Sequence, residues 1–276
     1  MILTGLGDEI SPQLKEQLKV MRGEGIKYLE IRGVWGKNIL DLSFPELERV
    51  RRELEEEGFK ISAIGSPIGK IKITDDFEEH LKKFQKALDI AKALHASYIR
   101  IFSYYIPTQE KPDKFREEVI RRMEKKLRLA EKEKIILLHE NERGIYGDLP
   151  ERCRDILQYF NSPNLRANFD PANFVFEGVK PYSQAYPILK DFIAYVHIKD
   201  AKRSPQGIVC VPAGEGEGEI PQILKDLHQN GYNGFLSLEP HLAQAGRLSG
   251  FSGPEGFSIA ARALKKILDQ LKISYE

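Results

Sequence analysis

Short β-type apolar runs alternate with longer, charged segments of helical period along the whole sequence. The runs are Ile2–Leu6, Tyr28–Ile31, Ile61–Ile64, Tyr98–Phe102, Ile135–Leu138, Leu165–Phe169, Ile193–Ile198 and Phe235–Leu238, eight in all. Each is followed by a stretch able to form an amphipathic helix, such as Pro45–Gly58, Asp76–Leu94 or Asp113–Lys132. In Phe77, Leu81, Phe84, Leu88 and Ala91 the apolar positions recur every three or four residues, a helical stripe. Ser11-Pro12 and Ser43-Phe44-Pro45 read as helix caps with an early proline, and Gly25 and Gly58 as C-terminal stops. Strict β/α alternation implies a parallel sheet, because parallel strands need crossover connections. Eight such units close a (β/α)8 barrel. No linker rich in Pro, Gly or Ser divides the chain, so residues 1–276 read as one TIM-barrel domain. The glycine-rich stretch Ala213-Gly214-Glu215-Gly216-Glu217-Gly218 is brief and reads as a loop.

Composition narrows the function. Lys and Arg total 42 against 41 Asp and Glu, a formal net charge of +1. Duplex binding normally needs a concentrated basic face, so no nucleic-acid partner is expected. Charged residues make up 30% of the chain, and no apolar run approaches the roughly 18 residues of a membrane span. Met1-Ile2-Leu3-Thr4-Gly5 is soon broken by Asp8 and Glu9, unlike a signal peptide. Cys153 and Cys210 form no metal-ligand spacing and suggest no disulfide framework. These features predict a cytoplasmic enzyme.

In a barrel of this kind the chemistry sits where strands end and βα loops begin. Strand five ends in His139-Glu140-Asn141, strand six in Phe169-Asp170-Pro171, strand seven in His197-Ile198-Lys199-Asp200 and strand eight in Leu238-Glu239-Pro240-His241. Neighbouring strands lie about 5 Å apart, so Glu140, Asp170, His197 and Glu239 can converge above one half of the mouth. Three oxygens and one nitrogen suit a divalent cation such as Mn2+, Mg2+, Co2+ or Zn2+. Three carboxylates gathered in a low-dielectric mouth repel one another, and a cation relieves that cost.

Chain length, the eight βα units and these strand ends together resemble the sugar phosphate isomerase/epimerase superfamily, the xylose isomerase-like barrels. The resemblance spans essentially the whole chain, and its most specific pieces are Asn168-Phe169-Asp170-Pro171-Ala172-Asn173-Phe174, Val196-His197-Ile198-Lys199-Asp200 and Leu238-Glu239-Pro240. It implies one metal held by Glu140, Asp170, His197 and Glu239. It also implies that Glu140 and Glu239 act as a catalytic pair, one removing a proton next to a carbonyl and the other returning one. In ketose 3-epimerases a histidine lies three residues after the strand-six aspartate; here Asn173 stands there, and an amide binds a hydroxyl without carrying a proton. The substrate implied is a small carbohydrate, and superfamily members often dimerise or tetramerise, so a homo-oligomer is an open expectation.

Other residues are expected nearby. Lys199 shares the face of His197 and is a candidate to hold a substrate oxyanion; its alternative is a salt bridge. Glu30 and Arg32 end strand two with matching parity, to bind substrate hydroxyls or, with a slight preference, to pair with each other. Trp35 is read as a cover for a sugar face or as packing, and Arg143, beside Glu142, as a contact for a carboxylate or phosphate. His139 should point away from the mouth, and Asp200 should orient a ligand or the loop. Glu217 is placed near the site, in a loop read as conformational.

The leading function is a divalent-metal-dependent isomerase or epimerase of a sugar, sugar phosphate or related polyol ketone. A dehydratase of the same superfamily, of the inosose or dehydroshikimate type, is the near alternative, because one enediolate can expel a β-hydroxyl or be reprotonated. An endonuclease IV-like repair enzyme needs more histidine ligands than the six histidines here supply, three of which (His80, His95 and His228) fall in helical segments. A non-catalytic sugar- or metal-binding barrel would share the four ligands.

Overall fold

The computed structural model describes residues 1–205, 207–242 and 252–276. Eight parallel strands form a nearly closed barrel: β1 (Ile2–Gly5), β2 (Tyr28–Ile31), β3 (Lys60–Ile64), β4 (Tyr98–Ile101), β5 (Ile136–Glu140), β6 (Leu165–Phe169), β7 (Ile193–Ile198) and β8 (Phe235–Leu238). Their order is β1-β8-β7-β6-β5-β4-β3-β2, and the bridge Leu6↔Glu30 joins the two ends. Helices α1 (Leu14–Gly23), α2 (Phe44–Glu56), α3 (Phe77–Ala93), α4 (Arg116–Lys132), α5 (Pro150–Phe160), α6 (Pro171–Phe176), α7 (Tyr186–Leu189), α8 (Ile220–Gln229) and α9 (Gly253–Gln270) lie around it. This is the TIM barrel the sequence predicts. Among the described residues no helix is long and apolar enough to cross a membrane.

Local signals set most helix ends. Asp76 accepts from the N–H groups of Glu78 and Glu79 at the start of α3, satisfying two donors that have no partner within the helix. The Glu46 carboxylate accepts from the Ser43 N–H at 2.8 Å at the start of α2. Gly58, two residues past the end of α2, has a φ of +67° that suits glycine. The expected cap at Ser11-Pro12 falls early: α1 begins at Leu14, and Ser11 accepts from the Gln13 N–H at 3.2 Å within the preceding turn. Two short hairpins were not expected, Gly33–Val34 with Lys37–Asn38 and Asp200–Ser204 with Gly207–Val211.

Inside the barrel the layers are polar where such interiors are usually filled by branched apolar residues. Register places Thr4 beside Ser237 and Ser237 beside His197, so all three face one way. The Thr4 hydroxyl donates to the Tyr28 carbonyl at 3.0 Å, so the 2.8 Å contact with Ser62 must be donated by Ser62. The Tyr195 hydroxyl then donates to Ser62 at 3.0 Å. A directed chain of hydroxyls thus fills the lower half of the barrel.

One buried side chain has no such arrangement. Lys126, on the inward face of α4, is fully buried; its Nζ has no hydrogen-bond partner and lies 4.7 Å from the centroid of the Tyr104 ring. Burial, reinforced by the nearby Arg122 charge, lowers its amine to about 7. Below that pH the folded protein carries a poorly solvated ammonium; above it the folded amine is neutral while the unfolded one stays charged until its ordinary range near 10.5. Replacing Lys126 with Met should therefore raise stability by about 3–5 kcal/mol at pH 6 and progressively less from pH 7 to pH 10. Thermal unfolding of both proteins across that range checks this; a pH-independent difference, or a less stable variant, contradicts it.

Candidate metal centre

The four strand-end residues meet at the barrel mouth. Glu140 ends β5, Asp170 follows β6, His197 lies in β7 and Glu239 follows β8, all buried. One ligand atom from each lies within 4.8 Å of the others. His197 Nδ1 is 3.1 Å from Glu239 Oε2 and 3.4 Å from Glu140 Oε1. Neither His197 Nδ1 nor Glu239 Oε2 has a hydrogen-bond partner, although both are buried. Buried polar atoms normally find partners, so two orphaned atoms side by side in a carboxylate-rich pocket suit a shared cation.

Asp170 is held by its own turn, and the other three by side chains from other strands. Asp170 caps α6: Oδ1 accepts from the Asn173 N–H at 2.9 Å, and Pro171 in the first turn needs no such partner. Asn141 clamps the same residue, donating to the Asp170 carbonyl and accepting its N–H, both at 2.9 Å. Arg32 donates to Glu239 Oε1 at 2.8 Å, and Arg100 Nη1 lies 3.2 Å from Glu140 Oε2. On its far side, His197 Nε2 lies 3.0 Å from Glu30 Oε2, which also accepts from Ser237 at 2.7 Å. A carboxylate behind a ligating histidine fixes the ring and its tautomer, leaving Nδ1 to the metal.

Burial alone would raise every carboxyl here, but neighbouring charge decides the outcome. Against burial, the charges of His197 and Arg100 hold Glu140 down at about 2. Lys199 and His197 similarly hold Glu239 well below the usual carboxylate range. Asp170 is pushed up to about 6 by burial and by the charges of Glu140 and Glu239, against the pull of Lys199. His197 goes the other way: burial opposes its charge, yet Glu30, Glu140 and Glu239 raise it well above its ordinary value. A cation at Nδ1 must displace that proton.

The structure sorts the remaining expectations. Lys199 and Asn173 join the cluster: Lys199 Nζ lies 3.1 Å from Asp170 Oδ2 and donates to Asn173 Oδ1 at 2.9 Å, and Asn173 Nδ2 lies 3.3 Å from Glu140. Glu30 and Arg32 pair with other residues, not with each other as preferred above. Glu30 is fully buried under His197, whereas Arg32 reaches Asp8 at 2.8 Å, Glu9 at 2.9 Å and Glu239. Closure of the barrel puts β2 beside β1, and that supplies Arg32 with Asp8 and Glu9. Trp35 is packed, with the Arg49 guanidinium 4.3 Å from its ring centroid. Arg143 is exposed at the rim, 3.6 Å from Glu177. His139 points away from the mouth as expected, its Nε2 3.0 Å from Ser103 Oγ.

Asp200 begins the second hairpin, and its role is to hold the glycine-rich loop. Its carboxylate accepts from Gly214, Gly216 and Gly218 at 2.8, 3.1 and 2.8 Å. A Cβ on Gly216 would stand 2.2 Å from Asp200 Oδ1, which explains why glycines alternate there. Glu217 turns to the hairpin instead of the site, accepting from the Arg203 N–H at 2.9 Å.

Three mouth residues escaped the sequence reading: Arg100, Glu9 and His241. Arg100 is a buried charge inside an apolar β run, a pattern that marks a paired functional charge. Glu9 follows β1 and holds Arg32 and His241, the latter 3.1 Å away. His241 stands two residues after Glu239, as Lys199 does after His197, and lies 3.6 Å from Glu239.

The model of the xylose isomerase-like TIM barrel family matches residues 18–267. None of the curated proteins matches the sequence. Among solved structures, a probable 3-DHS dehydratase, AsbF, from Bacillus anthracis is 18% identical with a TM-score of 0.75, over 96% of this chain and 99% of that one. A xylose isomerase-like TIM barrel protein from Mycobacterium smegmatis in complex with magnesium is 18% identical with a TM-score of 0.72, over 98% and 96%. The 3-keto-D-glucoside 4-epimerase YcjR from E. coli, in apo form, is 14% identical with a TM-score of 0.73, over 98% and 100%. At these identities the likeness is one of fold.

Two outcomes follow for cation binding. Calorimetric titration with Mn2+ at pH 7 in buffers of different ionisation enthalpy should show release of about one proton, from His197. Glu30→Gln should weaken binding about 10- to 100-fold while the fold is kept. Binding without proton release, or with unchanged affinity in the variant, contradicts this arrangement.

Proposed function

Because the chain belongs to the xylose isomerase-like TIM barrel family, we propose that it is a divalent-metal-dependent isomerase or epimerase of a sugar, sugar phosphate or related polyol ketone. The observation that carries this reading is the placement of Glu140 and Glu239, which approach one imidazole nitrogen from two strands at 3.4 and 3.1 Å. Both are buried carboxyls on different strands of the mouth, so a substrate carbon between them can lose a proton to one and regain one from the other. Proton transfer next to a carbonyl needs one group to take the proton and a second to return it, to another carbon or from the other face.

The residues around the pair divide the remaining work. Glu140, Asp170, His197 and Glu239 would hold one cation, with Mn2+, Mg2+, Co2+ and Zn2+ all compatible with the donor set. When bound, the cation supplies Lewis-acid stabilisation for charge developing on the carbonyl oxygen. Lys199 presents its ammonium beside Asp170 to bind a substrate oxygen, and Asn173, bonded to Lys199, Glu140 and the Asn141 carbonyl, positions it. Arg32, partly exposed at the mouth and bonded to Glu239, fixes the direction of that carboxylate and lines the approach. Arg143 is an outer contact at the rim. Trp35 contributes packing, and Glu30 acts through His197.

A dehydratase is the second reading, favoured by one feature. Lys199 is a buried ammonium 3.1 Å from Asp170 and 3.6 Å from Glu239, placed to hold the oxygen of a departing hydroxyl.

Incubating the protein and Mn2+ with a panel of ketoses, inososes and hydroxypyruvate in D2O separates the two readings. Isomerase or epimerase action puts solvent deuterium into a product isomeric with the substrate; dehydratase action gives a product that has lost water. Glu140→Gln and Glu239→Gln should each lower turnover by about 10^2- to 10^4-fold. The variant lacking the proton-abstracting carboxylate loses exchange as well, while the other keeps exchange without net conversion. Full conversion by both variants would remove the glutamate pair from the chemistry.

A further inference from the structure

A cavity of about 410 Å³ opens at the opposite, N-terminal end of the barrel, where the strands begin. Its cause lies in the sheet. Strands β3 and β4 pair only at Ile64↔Ile99, whereas β5 and β6 pair at four successive positions. Below the single pair the wall parts, and the gap is lined by Tyr28, Phe59, Ile61, Tyr98 and Phe235. The rings of Tyr28 and Phe235 meet edge-on with centroids 5.1 Å apart, and those of Tyr98 and Phe235 do so at 6.3 Å. Tyr28, Tyr98 and Phe235 remain only partly buried, so their faces are available to a further ring.

The polar groups give the cavity a direction. Ser62 forms part of the inner wall, but its proton is committed to Thr4 and it accepts from Tyr195. A ligand's charged group therefore gains little at the inner end. At the rim, Arg51 is taken up by Glu55 at 2.6 Å and Glu48 at 3.0 Å. Lys60 is exposed, has no carboxylate partner among the described residues, and holds its Nζ 6.0 Å from the centroid of the Tyr28 ring. The lining thus offers an aromatic interior and, in Lys60, an ammonium at the entrance that no carboxylate among the described residues pairs.

We propose that this cavity is a second small-molecule site that takes a flat aryl carboxylate, its ring among Tyr28, Tyr98 and Phe235 and its anionic group at Lys60. The volume lies within the range usual for ligand pockets. Ring burial supplies most of the binding, and the carboxylate–lysine contact selects anions over cations of the same shape. The site stands at the other end of the barrel from the metal cluster, so occupancy does not depend on the cation or on the proposed reaction.

Fluorescence titration of the folded protein with anilinonaphthalene sulfonate, an aryl anion, tests this. Saturable binding is expected, displaced by naphthoate and not by naphthylmethylammonium. Lys60→Glu should weaken it at least about tenfold, and Ser97→Trp, which puts a bulky ring at the exposed entrance, should abolish it. Lys60→Glu reverses an exposed charge, so it remains informative if Ser97→Trp does not fold. Asp170→Asn and chelator-treated wild-type protein should bind the probe as untreated protein does. Absence of saturable binding, equal displacement by the cationic competitor, unchanged affinity in Lys60→Glu, or loss of binding in Asp170→Asn would each overturn the proposal.

Discussion

The contact of His197 with three glutamates governs the mouth of this barrel. Its Nε2 faces Glu30 at 3.0 Å, while Nδ1 faces Glu239 at 3.1 Å and Glu140 at 3.4 Å. Carboxylates buried this deeply are unfavourable unless each meets positive charge or hydrogen-bond donors. Arg32, Arg100, Lys199 and the imidazole provide that charge, each contacting Glu239 or lying next to it. Glu239 is therefore where the two halves of the mouth meet, tied to β2 and β4 on one side and to β7 on the other. Among these cations only Lys199 forms an ion pair with Asp170, and burial with the charges of Glu140 and Glu239 still raises its carboxyl, against the pull of Lys199 and His197.

Support for this cluster extends well below it. Glu30 rests on Ser237, and beneath them the hydroxyls of Tyr195, Ser62 and Thr4 form a directed chain ending at the Tyr28 carbonyl. A polar interior of this sort is stable only when every member is satisfied, so it also fixes one arrangement of the strands. On the outer side, Asp200 gathers three glycine N–H groups and so sets the path of the loop between β7 and α8. The four clustered residues themselves lie in, at the end of or just past their strands.

The sequence carried much of this. Eight apolar runs matched eight barrel strands, because parallel strands flanked by helices have compact, nearly continuous apolar segments. The clustering of Glu140, Asp170, His197 and Glu239 was legible because the strand-end rule needs only position and parity. Long-range partners were not. Glu30 and Arg32 share a face, yet their partners His197 and Glu239 lie 167 and 207 positions away and come near only through barrel closure. Glu9 and His241 lie a few residues past β1 and β8 and could have been found by carrying the same rule further into the loops, whereas Arg100 lies within β4 and was marked only as a charge inside an apolar run. The hairpin beginning at Asp200 was hidden by its charged strand, Asp200-Ala201-Lys202-Arg203-Ser204, which lacks the apolar run that marked the barrel strands.

The central claim is that Glu140, Asp170, His197 and Glu239 together hold one divalent cation. Anomalous diffraction from crystals grown with Mn2+ tests it most directly. The account predicts a single strong peak at the barrel mouth, about 2.0–2.3 Å from one oxygen of each carboxylate and from His197 Nδ1. A mouth without a peak, with His197 Nδ1 and Glu239 Oε2 left as they stand here, would contradict it.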